Sequence, residues 1–381
     1  MRGYPRVLRR DGDMKLLPPT EMLSYLNRFV IGQDNAKRAL INAAYISGLE
    51  LLTQAGVIEN FGTLPKQAVA LIGNTGTGKS HLVRTLVRML VRPFSFHSAT
   101  DLVQTGYVGT NIESMMTQAF GRAGYDLAKA RRLILHIDEF DKVRCHHDSS
   151  GPDVNGEGVQ NALLTLLDGR PVSVRRDGSR ESAHIDLQTE GMLFIFTGAF
   201  SGLSNIVERR LGRHRRFTGF VHHRPISSGT QLNWSEHLQT EDLIEFGLIP
   251  ELAGRLTQVV VLDPLSIADL EKILISAEDS CLHRYRNLFA MHGIMLKVTP
   301  DAVRAIAERA FYLHTGARSL DRIVSRVLEQ EVFRLGEYAI HRVDKLIITA
   351  ETIQTGAAQA FRAGSAFRHK SSATESKVVR Q

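Results

Sequence analysis

Cysteine is scarce in this sequence, and no long apolar run occurs in it. Cys145 and Cys281 are the only cysteines among 381 residues, too few for a disulfide framework or a four-cysteine zinc site. The longest apolar runs, such as Met192–Phe196, fall far short of the roughly 20 residues that a membrane-spanning helix needs. The first residues carry arginines without the apolar stretch of a secretory signal. We therefore expect no zinc and no membrane span, with the cytoplasm as the simplest location.

Charged residues of the two signs are nearly balanced. Lys and Arg number 47 and Asp and Glu 40, which leaves a net charge of +7, and hydrophobic residues make up 43%. These proportions are typical of a globular protein and exclude a disordered or fibrous one. At roughly 100–200 residues per domain, the length predicts two domains. The small basic excess permits binding to nucleic acid or to acidic partners but does not argue for it.

Apolar strands and helical segments alternate through most of the chain. Four short apolar segments are predicted as buried strands: Ala68–Ile72, Leu133–Ile137, Met192–Phe196 and Val259–Leu262. Continuous apolar strands separated by helices indicate a parallel sheet that is covered on both faces. The predicted fold class is therefore α/β.

The pattern changes after Asp263 and Pro264. Helices dominate from there, with Ser266 and Thr299 as predicted N-caps and residues 345–348 as a candidate late strand. The resulting prediction has four parts: a flexible leader over 1–16, a large α/β domain over 17–262, a smaller and mostly helical domain over 263–352, and a tail over 353–381. The tail is predicted to be disordered because Ala, Ser and Arg dominate it.

A glycine-rich segment after the first predicted strand has the spacing of a phosphate-binding loop. It matches G-x-x-x-x-G-K-[ST] at every fixed position and consists of Gly73, Asn74, Thr75, Gly76, Thr77, Gly78, Lys79 and Ser80. Its backbone N–H groups and the start of the next helix would surround phosphate oxygens. Lys79 would reach the β- and γ-phosphates, Ser80 would ligate Mg²⁺, and His81 belongs to the same predicted nucleotide site. A chance glycine-rich turn is disfavoured because an apolar strand precedes the loop and an amphipathic helix follows it.

Two carboxylates follow the second predicted strand. Asp138 and Glu139 come directly after Leu133–Ile137, and the carboxyl end of a neighbouring parallel strand lies beside the phosphates. Asp138 would hold magnesium through water, and Glu139 would act as general base on the attacking water. A phosphotransferase could keep the Asp, but the adjacent Glu favours hydrolysis. The two motifs together predict an ATP or GTP hydrolase that uses Mg²⁺.

Over about residues 18–350 the chain resembles the ClpX family of AAA+ unfoldases. Val30-Ile31-Gly32-Gln33 resembles the family's adenine-binding segment, which implies contacts from Val30 and Ile31; a plain turn before a helix is the alternative. The segment Gly106, Tyr107, Val108, Gly109 resembles the family's pore loop, where an aromatic side chain stacks on a passing peptide without sequence specificity. A tight turn with a half-buried tyrosine is the alternative there.

Three further residues resemble the family's nucleotide sensors. Thr197, after the third predicted strand, matches the sensor-1 position and would orient the hydrolytic water; a strand-end threonine without function is the alternative. Arg255 ends a segment similar to the family's arginine-finger box, which implies contact with the γ-phosphate of a neighbouring subunit. Arg318 matches the sensor-2 arginine, which couples nucleotide state to domain rotation. Taken alone, each arginine would be an ordinary surface ion-pair residue.

The resemblance implies an AAA+ large P-loop domain followed by a small helical lid domain, assembled as a homohexameric ring. Such a ring hydrolyses ATP with Mg²⁺ and pulls protein substrates through its centre. A ClpP-type peptidase is the implied partner that the ring would feed. Neither a membrane nor nucleic acid is implied.

Two departures from the family pattern bear on its partners. No cysteine precedes the first predicted helix, so we expect a variant without the family's zinc domain and its adaptor docking. The peptidase-docking tripeptide corresponds to Thr218, Gly219 and Phe220, in which Thr218 replaces an aliphatic residue. A hydroxyl placed in an apolar pocket loses apolar contact and its own hydrogen-bond partners, which weakens docking.

Two alternative functions stay open. The chain could be a stand-alone remodelling chaperone that docks no peptidase, which Thr218 favours. A nucleic-acid-dependent AAA+ motor would suit the basic net charge, but the sequence contains no recognised DNA-binding module and its Tyr107 segment resembles a peptide-binding loop.

Overall fold

The computed structural model describes most of the chain. The described residues are 16–58, 62, 65–102, 111–145, 156–177, 183–217, 233–355, 358–362 and 365–367. The chain divides into two compact units. The first contains Met1–Leu26, Gln33–Asn74 and Gly78–Asp263, and the second contains Asn27–Gly32, Thr75–Thr77 and Pro264–Gln381. The main division falls at Asp263.

Helices and strands alternate in the part of the chain before Pro264. The helices are α1 (Pro19–Phe29), α2 (Asp34–Gln54), α3 (Lys79–Leu90), α4 (Ile112–Arg122), α5 (Leu127–Ala130), α6 (Glu157–Leu167), α7 (Leu203–Phe217), α8 (Thr240–Phe246) and α9 (Pro250–Arg255). The strands are β1 (Ala68–Ile72), β2 (Phe94–Ser98), β3 (Ile134–Asp138), β4 (Val172–Arg175), β5 (His184–Leu187), β6 (Leu193–Gly198) and β7 (Gln258–Val261). Short 3₁₀ helices span Ala99–Asp101, Phe140–Val143 and Trp234–His237.

Five of these strands form one parallel sheet in the order β2–β3–β6–β1–β7. Every residue of β1 and β6 is buried, as expected for central strands covered on both faces. This confirms the predicted α/β class. Strand β2 was missed by the sequence analysis because it lies at an edge and has no apolar run: Ser95 is buried whereas Phe96 is exposed.

The strand register brings the chemically interesting residues to one edge of the sheet. Ser98 pairs with Asp138 across β2 and β3, and Leu71 pairs with Thr197 across β1 and β6. Because the strands are parallel, their carboxyl ends meet at the same edge. The loop after β1, the end of β3 and the end of β6 therefore lie side by side.

The second unit has its own core. Its helices are α10 (Ile267–Ser276), α11 (Cys281–Met291), α12 (Pro300–Tyr312), α13 (Arg318–Phe333), α14 (Leu335–Ile340) and α15 (Ala350–Thr355). Strands β8 (Met295–Val298), β9 (Val343–Ile348), β10 (Gln359–Arg362) and β11 (Ser365–Phe367) form a sheet in the order β11–β10–β9–β8. The predicted N-caps are confirmed: Ser266 forms a capping box with Asp269, and Thr299 accepts from the Ala302 N–H.

The predicted disordered tail over 353–381 is wrong for its first part. Residues up to Thr355 complete α15, and β10 pairs antiparallel with β9. Composition misled the prediction because strand pairing uses backbone groups, which Ala and Ser supply as well as larger residues do. Ala360 is buried in this sheet. Residues 368–381 lie outside the described part of the chain.

Among the residues that the structure describes, no helix is both long and apolar enough to span a bilayer.

Candidate functional site

The loop between β1 and α3 has a backbone suited to wrapping around phosphate groups. Gly76 and Gly78 have positive φ angles of 85° and 97°, a conformation that glycine adopts at little cost. Gly78 is the N-cap of α3, which begins at Lys79. The first N–H groups of a helix lack partners within it, so together with the helix dipole they attract anions. The strand, loop and helix therefore follow one another as the motif requires.

The first turn of α3 is connected to the loop and to the end of β3. The Lys79 ammonium donates hydrogen bonds to the carbonyl oxygens of Gly73 and Asn74, the second at 3.0 Å. Ser80 Oγ donates to Asp138 Oδ2 at 3.0 Å. The hydroxyl and the carboxylate that the sequence assigned to magnesium are thus in direct contact.

Asp138 accepts hydrogen bonds on both carboxylate oxygens. Its Oδ1 accepts from Thr197 Oγ1 at 2.5 Å and from the Glu139 backbone N–H at 2.9 Å. Burial by itself raises the pKa of this carboxyl, but the hydrogen bonds from Thr197, Glu139 and Ser80 outweigh burial and hold the pKa below its usual value. Asp138 is therefore ionised at neutral pH.

Ser80 and Asp138 fit a bound Mg²⁺. Both present oxygen, the donor that magnesium prefers, and magnesium commonly takes one or two protein groups while the remaining ligands are waters and substrate phosphates. In the described residues, no group of three or more His, Cys, Asp or Glu side chains is placed to hold a metal ion. A site made of two protein oxygens needs no such cage, because the nucleotide would supply the remaining charge.

Glu139 lies at an unusual turn directly after Asp138. Its φ is 57°, in the left-handed region that residues other than glycine rarely adopt. Its Oε2 accepts hydrogen bonds from Ser98 Oγ at 3.0 Å and from Thr100 Oγ1 at 3.2 Å. The next residue, Phe140, is fully buried, with its ring centroid 4.5 Å from that of Phe196. This packing holds the turn, and such strained backbone is typical of functional sites.

A buried histidine adjoins the same network. His136 Nε2 lies 2.8 Å from Thr197 Oγ1, and the ring is completely buried. Thr197 donates its one hydroxyl hydrogen to the ionised Asp138, so its oxygen accepts from His136, which assigns the Nε2–H tautomer. Burial is the main cause that lowers the pKa of His136 to about 4. The ring is therefore neutral at pH 7, and its Nδ1 has no hydrogen-bond partner among the described residues.

A buried glutamine holds the segment that leads into α9, the helix whose last residue is Arg255. Gln160 of α6 is completely buried. Its Nε2 donates to the Gly247 and Val143 carbonyl oxygens at 3.0 and 2.8 Å, and its Oε1 accepts from the Ile249 N–H at 2.8 Å. The Arg255 side chain is 58% exposed and forms an ion pair with Asp168 at 2.8 Å.

Comparison with known proteins decides the family. Residues 64–259 match the model of the AAA domain (Cdc48 subfamily), and residues 265–336 match that of the C-terminal D2-small domain of ClpB protein. The chain is 36% identical over 340 residues to the ATP-dependent Clp protease ATP-binding subunit ClpX of Borrelia duttonii, covering 88% of this chain and 78% of that protein. The protein of the same name from Bacteroides fragilis is 35% identical over 350 residues, covering 87% and 83%. The chain belongs to the ClpX family.

Membership in the ClpX family makes the chain an AAA+ ATPase of the unfoldase class. The match to the AAA domain ends at residue 259, and the match to the D2-small domain begins at residue 265. The structure divides into its two units between these positions, at Asp263. The predicted AAA+ fold is therefore confirmed.

The structure describes only some of the residues that the ClpX resemblance assigns to a nucleotide site. Val30 and Ile31 follow α1 in a stretch assigned to the second unit, where Val30 is buried and Ile31 partly buried. Arg318 begins α13 of that unit, and His81 is an exposed residue of α3. Their contacts with a nucleotide stay predictions. The pore-loop segment 106–109 and the docking tripeptide 218–220 lie outside the described residues.

Several site residues were not found from the sequence. Ser98 and Thr100 lie at or just after the end of an edge strand without an apolar run, and His136 stands within an otherwise apolar strand. Asp168 belongs to no motif that we recognised, and no role was assigned to Gln160. His136 carried the one usable signal, because a polar residue inside a buried strand requires a hydrogen-bond partner. The partner itself could not be read from the ClpX motifs, since it lies on another strand.

Proposed function

We propose that the chain is an ATP-driven protein unfoldase that works as a homohexameric ring and feeds a ClpP-type peptidase. The observation that carries this proposal is the contact of Ser80 and Thr197 with Asp138, directly beside Glu139 and the phosphate-binding loop. These groups supply what hydrolysis of a nucleoside triphosphate requires: a cradle for phosphate, a place for Mg²⁺ and a carboxylate for the water.

Each residue has a defined part in this proposal. Lys79 neutralises charge on the β- and γ-phosphates, and Ser80 with Asp138 holds Mg²⁺. The ion, when bound, screens the negative charge of the phosphate oxygens. Glu139, held by two hydroxyls at a rigid turn, accepts a proton from the attacking water. The resemblance to the ClpX family further assigns contacts with ATP to Val30, Ile31 and His81.

Two arginines connect the site to the assembly. An exposed Arg255 at the end of a short helix is suited to reach the nucleotide of a neighbouring subunit, which requires a ring. Arg318, the first residue of α13, is assigned contact with the nucleotide of its own subunit by its resemblance to the sensor-2 arginine. The names of the relatives describe ATP-binding subunits of a Clp protease, which supports the partnership with a peptidase.

The test uses a stably folded fluorescent reporter that carries an unstructured peptide extension. Wild-type protein is incubated with ATP and Mg²⁺, with and without a ClpP-type peptidase, and both fluorescence and peptide products are measured. Products that appear only when ATP and peptidase are both present are the expected result. Glu139→Gln and Tyr107→Ala are the controls and should abolish it. Absence of any ATP-dependent change in the reporter would contradict the proposal.

A stand-alone remodelling chaperone is the second candidate. Thr218 in the docking tripeptide favours it, because the aliphatic side chain of the family motif is replaced by a hydroxyl-bearing one. Six weakened contacts around a ring would multiply the loss of avidity. In the same assay this candidate predicts ATP-dependent loss of fluorescence without peptide products. Thr218→Leu should then restore proteolysis, and the absence of restoration would count against the role of this tripeptide.

A further inference from the structure

We propose that Asp168 is the positioning residue of Arg255. It holds the guanidinium in the orientation in which Arg255 meets a phosphate group across a subunit boundary. The inference rests on the role given to Arg255 under the proposed function, and it adds a residue that belongs to none of the sequence motifs.

Arg255 requires a positioning group because its side chain is long and exposed. It projects from the last residue of α9, and 58% of the side chain is accessible. A free arginine samples many rotamers, and ordering it in one of them costs conformational entropy. Asp168 Oδ1 lies 2.8 Å from Arg255 Nη2, so part of this ordering is complete before a phosphate arrives.

Asp168 is a suitable partner because it is itself held in place. It follows α6 directly, its side chain is 18% exposed, and its backbone N–H donates to the Leu164 carbonyl oxygen at 2.8 Å. Its other carboxylate oxygen faces Arg170 Nη2 at 3.9 Å. Lys66 Nζ donates to the Leu166 carbonyl oxygen at 2.5 Å, which fixes the last turn of the helix.

The same helix also holds the start of α9. Gln160 bonds to the backbone of Gly247 and Ile249, the residues that lead into α9. Asp168, at the other end of α6, contacts the arginine with which α9 ends. Helix α6 therefore fixes both the backbone before α9 and the side chain at its end, which is the arrangement expected of a scaffold for Arg255.

The geometry favours positioning over blocking. The contact involves Nη2 of Arg255 and one oxygen of Asp168, whereas a guanidinium carries five N–H donors. A two-pronged pair with a carboxylate would occupy a whole edge and compete with a phosphate. The one-pronged pair leaves the remaining donors for a second anion.

The test compares kcat and KM of ATP hydrolysis in four variants: Asp168→Asn, Asp168→Glu, Arg255→Ala and Asp168→Asn combined with Arg255→Ala. Asp168→Asn should lower kcat about tenfold and change KM less than about twofold, because positioning acts on a contact made in the transition state. Asp168→Glu should give an intermediate kcat. Arg255→Ala should lower kcat on the order of 10³-fold. The double variant should be no slower than Arg255→Ala, since a residue that acts through Arg255 then has nothing to position.

Two readouts separate this role from a structural one. In Asp168→Asn the thermal-unfolding midpoint should equal that of the wild type. ATP raises this midpoint, and the ATP concentration that gives half of the rise should also be unchanged. Glu308→Gln, which removes the carboxylate of the exposed Arg304–Glu308 pair, is the matched control and should equal the wild type throughout. If Asp168→Asn does not fold, Asp168→Glu replaces it in the test. The double variant Asp168→Glu with Arg255→Ala should then be no slower than Arg255→Ala alone.

The outcomes distinguish the two levels of the argument. If Arg255→Ala hydrolyses ATP like the wild type, the proposed role of Arg255 fails, and this inference fails with it. If Arg255→Ala is slow but Asp168→Asn is not, the inference alone is overturned. An additive loss in the double variant, or a raised kcat in Asp168→Asn, would also overturn it.

Discussion

At the scale of single residues, Thr197 shows how much depends on one hydroxyl group. Its position at the end of a buried strand could be predicted from the sequence, together with a role in orienting water. In the structure the Thr197 hydroxyl donates a hydrogen bond to Asp138 and accepts one from His136. This pair of hydrogen bonds could not be predicted from the sequence, because it depends on His136 of the neighbouring strand β3 and on the ionisation of Asp138.

Thr197→Val tests this pair of hydrogen bonds. It removes the hydrogen bond that lowers the pKa of Asp138, and it leaves the His136 Nε2–H buried without an acceptor. We expect the free energy of unfolding to fall by about 1–3 kcal/mol and the acid limb of the ATPase pH profile to move to higher pH, because a higher carboxyl pKa needs a higher pH for ionisation. Thr197→Ser, which keeps the hydroxyl, should resemble the wild type. Equal urea midpoints and equal pH profiles in both variants would contradict the assignment.

His97 gives a second residue-scale prediction, about pH and stability. Burial, with a smaller effect of Arg122, lowers its pKa from 6.5 to about 4. Between these values the unfolded chain binds more protons than the folded one, so stability should fall as the pH decreases from 6.5 to 4. His97→Gln should make this decline shallower without abolishing it, since the pKa of His136 is lowered in the same direction. Urea midpoints at several pH values measure both slopes; parallel slopes would refute the prediction.

At the scale of elements, the sequence predicts what is contiguous and apolar. The strands β1, β3, β6 and β7 are largely apolar and were found, whereas β2 alternates between apolar and polar residues and was missed. Strands β10 and β11 were taken for a disordered tail, because composition measures apolar content and these strands depend on backbone pairing with β9. Strands without a continuous apolar run are thus the elements that sequence patterns predict least well.

Ala360→Asp tests whether β10 is an ordered strand. Ala360 is buried in the sheet of the second unit, whereas its neighbour Gln359 is exposed. A carboxylate at the buried position should lower the unfolding midpoint of this unit by about 5 °C or more, since an unpaired charge is costly to bury. Gln359→Asp, on the exposed face, should have little effect. If both variants melted like the wild type in differential scanning calorimetry, the original prediction of a disordered tail would be right.

At the scale of the whole molecule, the local motifs predicted the class of chemistry, but the long-range contacts did not follow from them. The phosphate-binding loop is a continuous stretch of eight residues, so its spacing alone is informative. Gln160 and Gly247 are 87 residues apart in the sequence, and no local pattern encodes such a pair. The residues that hold Arg255 in place therefore came from the structure, while Arg255 itself came from the sequence.

The most direct test of the account measures ATP hydrolysis and ATP binding together in the wild type and in Glu139→Gln. Glutamine keeps the size of the side chain and can still bond to Ser98 and Thr100, but it cannot accept the proton of the attacking water. We predict Mg²⁺-dependent hydrolysis by the wild type and a loss of about 10²–10⁴-fold in Glu139→Gln, with an unchanged ATP-induced rise in the unfolding midpoint. Hydrolysis by Glu139→Gln at the wild-type rate, or no ATP hydrolysis by the wild type, would contradict the account.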